Sequence, residues 1–162
     1  MTRTKVFVTV GTTPFDRLVR HIDKHFAADR YDITFQISER AKYIPRNFGS
    51  FSYVSNVLRP YQDADMVICH AGAGTVFTLL ELKQKIIVCP NTARRDKHQD
   101  DLAFWVRRNA FGEACFELPK LEQTVEHLSS ISLAEYRREE FFGYQMIIRL
   151  CADKTVFSNP QE

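Results

Sequence analysis

The sequence predicts an α/β fold, a parallel sheet with helices packed on both faces, and three observations carry that reading. Short apolar, β-branched runs alternate with segments of helical period along the 162 residues, as they do where crossover helices join parallel strands. One run, Met66-Val67-Ile68-Cys69, stops at His70 and leads through Ala71-Gly72-Ala73-Gly74-Thr75 into apolar residues at helical spacing. Another, Lys5-Val6-Phe7-Val8-Thr9-Val10, leads into Gly11-Thr12-Thr13-Pro14. There Thr13 suits an N-cap, Pro14 the first helical position and Asp16 the positive end of a helix dipole.

Taken in order, periodicity gives a strand at 5–10, a helix at 14–27 and a strand at 31–37. A polar stretch bearing aromatic residues runs to Phe51, with a short strand expected at 52–54 and a helical turn at 58–64. A strand at 66–69, a helix at 75–83 and a strand at 85–89 follow in quick succession. After the loop 90–97 come a helix to about Asn109, a short strand at 113–117 and a helix at 120–129. The last and longest helix is expected at about 133–152. It carries Leu133, Tyr136, Phe141, Phe142, Tyr144, Ile147, Ile148 and Leu150, more large apolar residues than one buried stripe requires. That excess predicts a partner surface and a tendency to self-associate.

The two glycine turns bare their backbone at the carboxyl ends of strands, where ligands of open α/β sheets bind. Glycines at 72 and 74 let a ligand approach the main chain, and the amides of the new helix face outward with the positive dipole end. A phosphate or diphosphate fits there, so a nucleotide-linked ligand is the first reading. The competing reading is two well-capped helices and nothing more. Neither turn is a dinucleotide fingerprint, and no Gly-Lys-Ser/Thr closes either loop, which argues against a P-loop ATPase. Asp63-Ala64-Asp65 precedes a strand, on the opposite edge, and reads as turn chemistry rather than a metal site. His21 and His25 are four apart on a helix but lack a third ligand nearby, and read as solvent-facing.

Composition is that of one ordinary globular domain, 44% hydrophobic and 26% charged, without a Gly/Ser or Pro-rich linker. A chain of this length buries roughly two thirds of its unfolded surface. The net charge of +2 argues neither for nor against nucleic acid. No apolar run approaches the roughly 18 residues of a membrane span, and the first segment lacks the pattern of a signal peptide. A cytosolic chain is the expectation. Cysteines at 69, 89, 115 and 151 include no close pair, so neither disulfides nor a zinc cluster is expected; Cys69 and Cys89 end apolar runs as small buried hydrophobes.

With these pieces in order, the chain resembles the C-terminal, donor-binding half of glycosyltransferase family 28. The resemblance covers Val6 to about Asn109. It rests on Phe7 through Phe15, on Ala64 through Thr75, and on Ile87-Val88-Cys89-Pro90-Asn91 followed by Asp96-Lys97-His98-Gln99. It is nearest to stand-alone versions of that half: the soluble subunit of a two-part dolichol-pathway N-acetylglucosaminyltransferase and bacterial counterparts in exopolysaccharide and capsule synthesis.

The resemblance implies one Rossmann-like half of a GT-B glycosyltransferase. The second half would be supplied by a membrane-anchored subunit that meets a lipid-linked acceptor, leaving this chain at the inner face of the membrane through its partner. The implied reaction is inverting transfer from a UDP-sugar, with no metal and no cofactor, and no nucleic acid as partner. Gly11, Thr12 and Thr13 would lie near the diphosphate, and Gly72, Ala73, Gly74 and Thr75 at the phosphates and ribose. His70 and Asn91 would line the same edge, while His98 and Gln99 match a pair that reaches the sugar. Many relatives carry an acid three positions after the matching threonine, where it meets the ribose; this chain has Thr78, with Glu81 one turn further along as a substitute. No carboxylate or histidine is an evident general base, so the base is expected on the partner. The departure at Thr78 supports an alternative, a non-catalytic nucleotide-sugar-binding or stabilising subunit. An epimerase of related fold would need both halves in one chain.

Overall fold

The computed structural model describes residues 2–91 and 97–138. Six strands, β1 (Thr4–Thr9), β2 (Tyr31–Gln36), β3 (Gly49–Phe51), β4 (Met66–His70), β5 (Ile86–Cys89) and β6 (Glu113–Ala114), form one sheet in the order β3-β2-β1-β4-β5-β6. Every pairing is parallel. The helices are α1 (Asp16–His25), α2 (Leu58–Asp63), α3 (Ala73–Glu81), α4 (His98–Arg108) and α5 (Leu121–Ser130), the last entered by a short 3-10 turn at Leu118–Lys120.

The near-continuous apolar runs of β1, β4 and β5 are explained by burial on both faces. Val6, Val8 and Ile68 point into a core shared with Leu18, Val19 and Ile22 of α1 and Leu121, Val125 and Leu128 of α5. Phe7, Val67 and Val88 point the other way, against Tyr61 of α2, Val76 and Leu79 of α3, and Ala103 and Val106 of α4. Consecutive side chains on one strand thus feed two separate cores.

Several boundaries differ from the sequence reading. The first helix starts at Asp16, not Pro14, because Phe15 adopts a non-helical conformation (φ −136°, ψ 56°) and drops its ring into the core, 4% exposed. Thr13 is therefore no N-cap; the Phe15 carbonyl instead accepts the Leu18 and Val19 amides. The third strand lies at Gly49–Phe51 rather than 52–54. Phe48 meets Phe35 (6.3 Å between centroids) and Phe51 stacks on Phe7 (6.0 Å), whereas Tyr53 is 76% exposed. Aromatic packing outweighed the β-branched Val54. The strand expected at 113–117 is reduced to two residues, since the chain turns away at Cys115 toward α5. Residues 133–138 are not helical: Ala134 donates to the Ala110 carbonyl (2.8 Å), and Tyr136 packs edge-on against Trp105 and Phe111. The remainder of that expected helix, with Cys151, lies outside the described residues.

Candidate functional site at the carboxyl edge

The strand order reverses direction between β1 and β4, and these neighbours are in register from Val6↔Met66 to Thr9↔Cys69. Their carboxyl ends, and the turns that follow, therefore lie side by side. This is the crevice of an open α/β sheet. Gly11 follows β1 with a positive φ of 64°, a conformation that favours glycine. A side-chain carbon there would stand 2.9 Å from Cε1 of His70, and one at Gly72 would stand 2.8 Å from the same atom. The imidazole thus lies between the two glycine turns. It gives both glycines a packing reason to exist that their sequence context did not show. At Gly74 the space is open, with nothing within 4 Å of an added carbon.

Helix α3 begins two residues earlier than its periodicity suggests, with Gly72 as its N-cap. Its first helical bond runs from the Val76 amide to the Gly72 carbonyl (2.9 Å). The amides of Ala73, Gly74 and Thr75 precede that bond and have no carbonyl within the helix. Ala73 and Gly74 are exposed and Thr75 is half-buried. Three successive donors at a positive helix end are a cradle for a phosphoryl oxygen.

Three residues that sequence reading passed over hold this edge together. Gln36, the last residue of β2, accepts from Thr9 Oγ1 (2.7 Å) and the Gly11 amide (3.0 Å) through Oε1. Through Nε2 it donates to the carbonyls of Gly11 (3.1 Å), Ile37 (2.9 Å) and Ser52 (3.2 Å). Buried Ser38 donates to the Thr12 carbonyl (2.8 Å). Tyr61 lies beneath, and burial pushes its phenol above its usual range although the neighbouring side chains of Thr9 and Thr75 pull the other way. A polar residue ending an otherwise apolar strand was the available signal for Gln36. A lone tyrosine on a short helical turn gave none.

Thr12 and Thr13 are exposed beside Gly11. His70 pairs in register with Cys89 of β5, which brings Pro90 and Asn91 to the same edge. His98 and Gln99 open α4, His98 exposed and Gln99 half-buried. The Asn91 amide donates to Gln99 Oε1 (2.8 Å), so this side chain spans the two ends of the segment between β5 and α4. Arg94, Arg95 and Asp96 lie outside the described residues. Asp100 sits in the first turn of α4, whose N-cap residue, Lys97, makes no side-chain capping hydrogen bond.

The structure does not bring Glu81 to this edge. It lies in the last turn of α3, about 12 Å along the axis from Ala73, and its carboxylate pairs with Arg138 (3.3 Å). Thr78 is half-buried midway along the helix. Asp65 accepts the Lys5 amide (2.8 Å) and Asp63 pairs with Arg59 (3.7 Å), at the amino edge as the sequence suggested. His21 and His25 stack at 4.5 Å between centroids, with His21 half-buried rather than fully solvent-facing. Cys69, Cys89 and Cys115 are buried thiols, and burial pushes Cys69 up to about 12. Among the described residues, no three His, Cys, Asp or Glu side chains are grouped to hold a metal ion, and no helix is long and apolar enough to cross a membrane.

The family described as "Glycosyltransferase family 28 C-terminal domain" matches residues 5–145. The chain belongs to that family. It is 32% identical over 112 residues to the UDP-N-acetylglucosamine transferase subunit ALG13 of Mus musculus, covering 61% of this chain and 10% of that protein. It is 33% identical over 79 residues to a UDP-N-acetylglucosamine--N-acetylmuramyl-(pentapeptide) pyrophosphoryl-undecaprenol N-acetylglucosamine transferase of Herminiimonas arsenicoxydans, covering 49% of this chain and 21% of that one. The chain thus spans about a tenth of the mammalian relatives it matches. The solution NMR structure of ALG13 superposes with a TM-score of 0.59 at 19% identity, covering 90% of this chain and 94% of that one. At that identity the match shows the Rossmann-like fold alone.

Proposed function

We propose that this chain is the UDP-sugar-binding catalytic subunit of a two-component inverting glycosyltransferase. One observation carries the reading: the turn after β1 and the N-terminus of α3 meet at the reversal point of the sheet, with three helix-start amides aimed outward. Backbone donors at a positive helix end stabilise a diphosphate as it leaves, which is where charge develops in glycosyl transfer. Family membership supplies the substrate class. The names of its relatives make UDP-N-acetylglucosamine the first donor to test.

The acceptor is a lipid-linked sugar, and the general base that deprotonates its hydroxyl comes from a membrane-anchored partner subunit. Donor binding needs no metal ion. A non-catalytic, nucleotide-sugar-binding role is the second reading, favoured by Thr78 and by the placement of Glu81, which leave the ribose without an acid from α3.

Gly74→Trp tests the site directly. A side chain there meets open space, so the fold survives while the amide cradle is covered. Calorimetry should show UDP binding to the wild-type chain without added metal, and loss of that binding in the variant. Undiminished affinity in the variant would remove the cradle from the reading.

A further inference from the structure

Helix α1 carries a basic stripe that the donor site does not use. Arg17, Arg20, His21, Lys24 and His25 follow the i, i+3, i+4, i+7, i+8 spacing of one helix face, and together they form one wall of a groove of about 670 Å³. The two acids of the helix are spent internally. Asp16 accepts the Lys42 amide (3.0 Å), and buried Asp23 accepts the Tyr43 hydroxyl (2.6 Å) and the Asn47 amide (2.9 Å). Among the described residues, the one acid lining the groove, Glu117, pairs with Lys120 (2.7 Å). The loop those aspartates hold against α1 adds exposed Arg40, Lys42 and Arg46, against a single acid, Glu39. Burial, then the neighbouring His25, holds His21 below its ordinary range. Arg20 and Lys24 are exposed cations on that wall.

The opposite wall is apolar, built from Phe116, Leu118 and Pro119 of the segment after β6. Phe116 stacks on Phe104 (4.4 Å between centroids), which is 57% exposed, so apolar surface continues out of the groove onto α4. Cations beside an exposed aromatic edge match the chemistry of a bilayer interface: phosphate headgroups against the arginines and lysine, and a phenyl ring at the acyl boundary.

We propose that this face docks the chain directly on a membrane surface rich in anionic phospholipid, independently of any partner subunit. It goes beyond the donor-site reading, and UDP binding by the same variants keeps the two separable.

The test is co-sedimentation of the 162-residue chain with vesicles, either phosphatidylcholine alone or an equal mixture with phosphatidylglycerol. The chain should partition onto the mixed vesicles only, and less so as salt rises. Neutralising one surface cation lowers such partitioning about fivefold, so Arg20→Gln with Lys24→Gln should lower it about 25-fold. Thermal unfolding and UDP affinity should be unchanged. Arg20 also lies over the Tyr43 ring (4.9 Å), so Lys24→Gln alone, at an exposed position, repeats the test without touching that contact. Phe104→Ser should weaken partitioning while leaving its salt dependence in place. Three results would each overturn the proposal: no binding to mixed vesicles, equal binding to neutral ones, or unchanged partitioning of the variants. Displacement by inorganic phosphate beyond the effect of chloride at equal ionic strength would also overturn it, marking a small-anion pocket instead.

Discussion

His70 decides the local geometry of the candidate site, because its ring fills the space beside Gly11 and Gly72 at once. Moving it away from one glycine presses it on the other. Gly72→Ala should therefore cost about 1–3 kcal/mol, the usual toll of overpacking. Pairing it with His70→Ala should recover part of that loss, a coupling of about 0.5–3 kcal/mol measurable by urea denaturation. Strictly additive losses would show that the ring and the turn do not constrain each other. Gln99 presents a different question, since its carbonyl oxygen is already engaged by the Asn91 amide. Gln99→Glu keeps an acceptor for that amide and removes the side-chain donor. If the amide nitrogen reads a sugar hydroxyl, calorimetry should show UDP-sugar affinity falling several-fold, as for about 1 kcal/mol of hydrogen bond, with UDP affinity unchanged. Equal weakening for both ligands would make Gln99 a brace of the loop. The glycines were legible in the sequence as bared backbone. Their packing against His70 was not, because the contact joins residues 11 and 70 across two strands.

Among the elements, α1 holds the loop that follows β2 through Asp16 and, with more contacts, through Asp23. Burial alone would push the Asp23 carboxyl up, but the Tyr43 hydroxyl and the amides of Arg46, Asn47 and Phe48 outweigh it and hold the group below its ordinary value. A folded-state value below the unfolded one means that this contribution is present above the unfolded aspartate range, near pH 4. It is lost as pH falls through the lower folded value. Stability measured by denaturant should accordingly drop on acidification below about pH 4. Asp23→Asn should be less stable at pH 7 and flatter in that acid window. A variant with the wild-type acid profile would assign the pH dependence to other carboxylates. The same scale shows why β3 was misplaced. Its position follows the rings of Phe48 and Phe51 rather than local propensity. Phe15 likewise shortened α1 by seeking the core, a tertiary pull that overrode a good capping sequence.

At the scale of the whole molecule, a single Rossmann-like half presents an amide cradle at one edge, and the base proposed for transfer lies on a partner subunit. The chain alone should bind UDP-N-acetylglucosamine yet transfer nothing to a lipid-linked acceptor, and co-expression with the acceptor-binding subunit should bring turnover. Turnover by the isolated chain would place the base on its own residues; binding that never yields turnover with the partner would favour the non-catalytic reading. Much of this molecule was determined by the sequence alone. Apolar runs of strand length, helical periods between them and glycines at the strand ends specify parallel strands, crossover helices and bared turns, because each of these is a local consequence of backbone geometry and side-chain period. The strand order, the enclosure of His70, the bracing by Gln36, Ser38 and Tyr61, and the separation of Glu81 from the edge were decided only in the tertiary structure. These depend on which distant segments share a surface, and packing settles that by burying rings and satisfying amides across 16 to 60 residues of intervening chain.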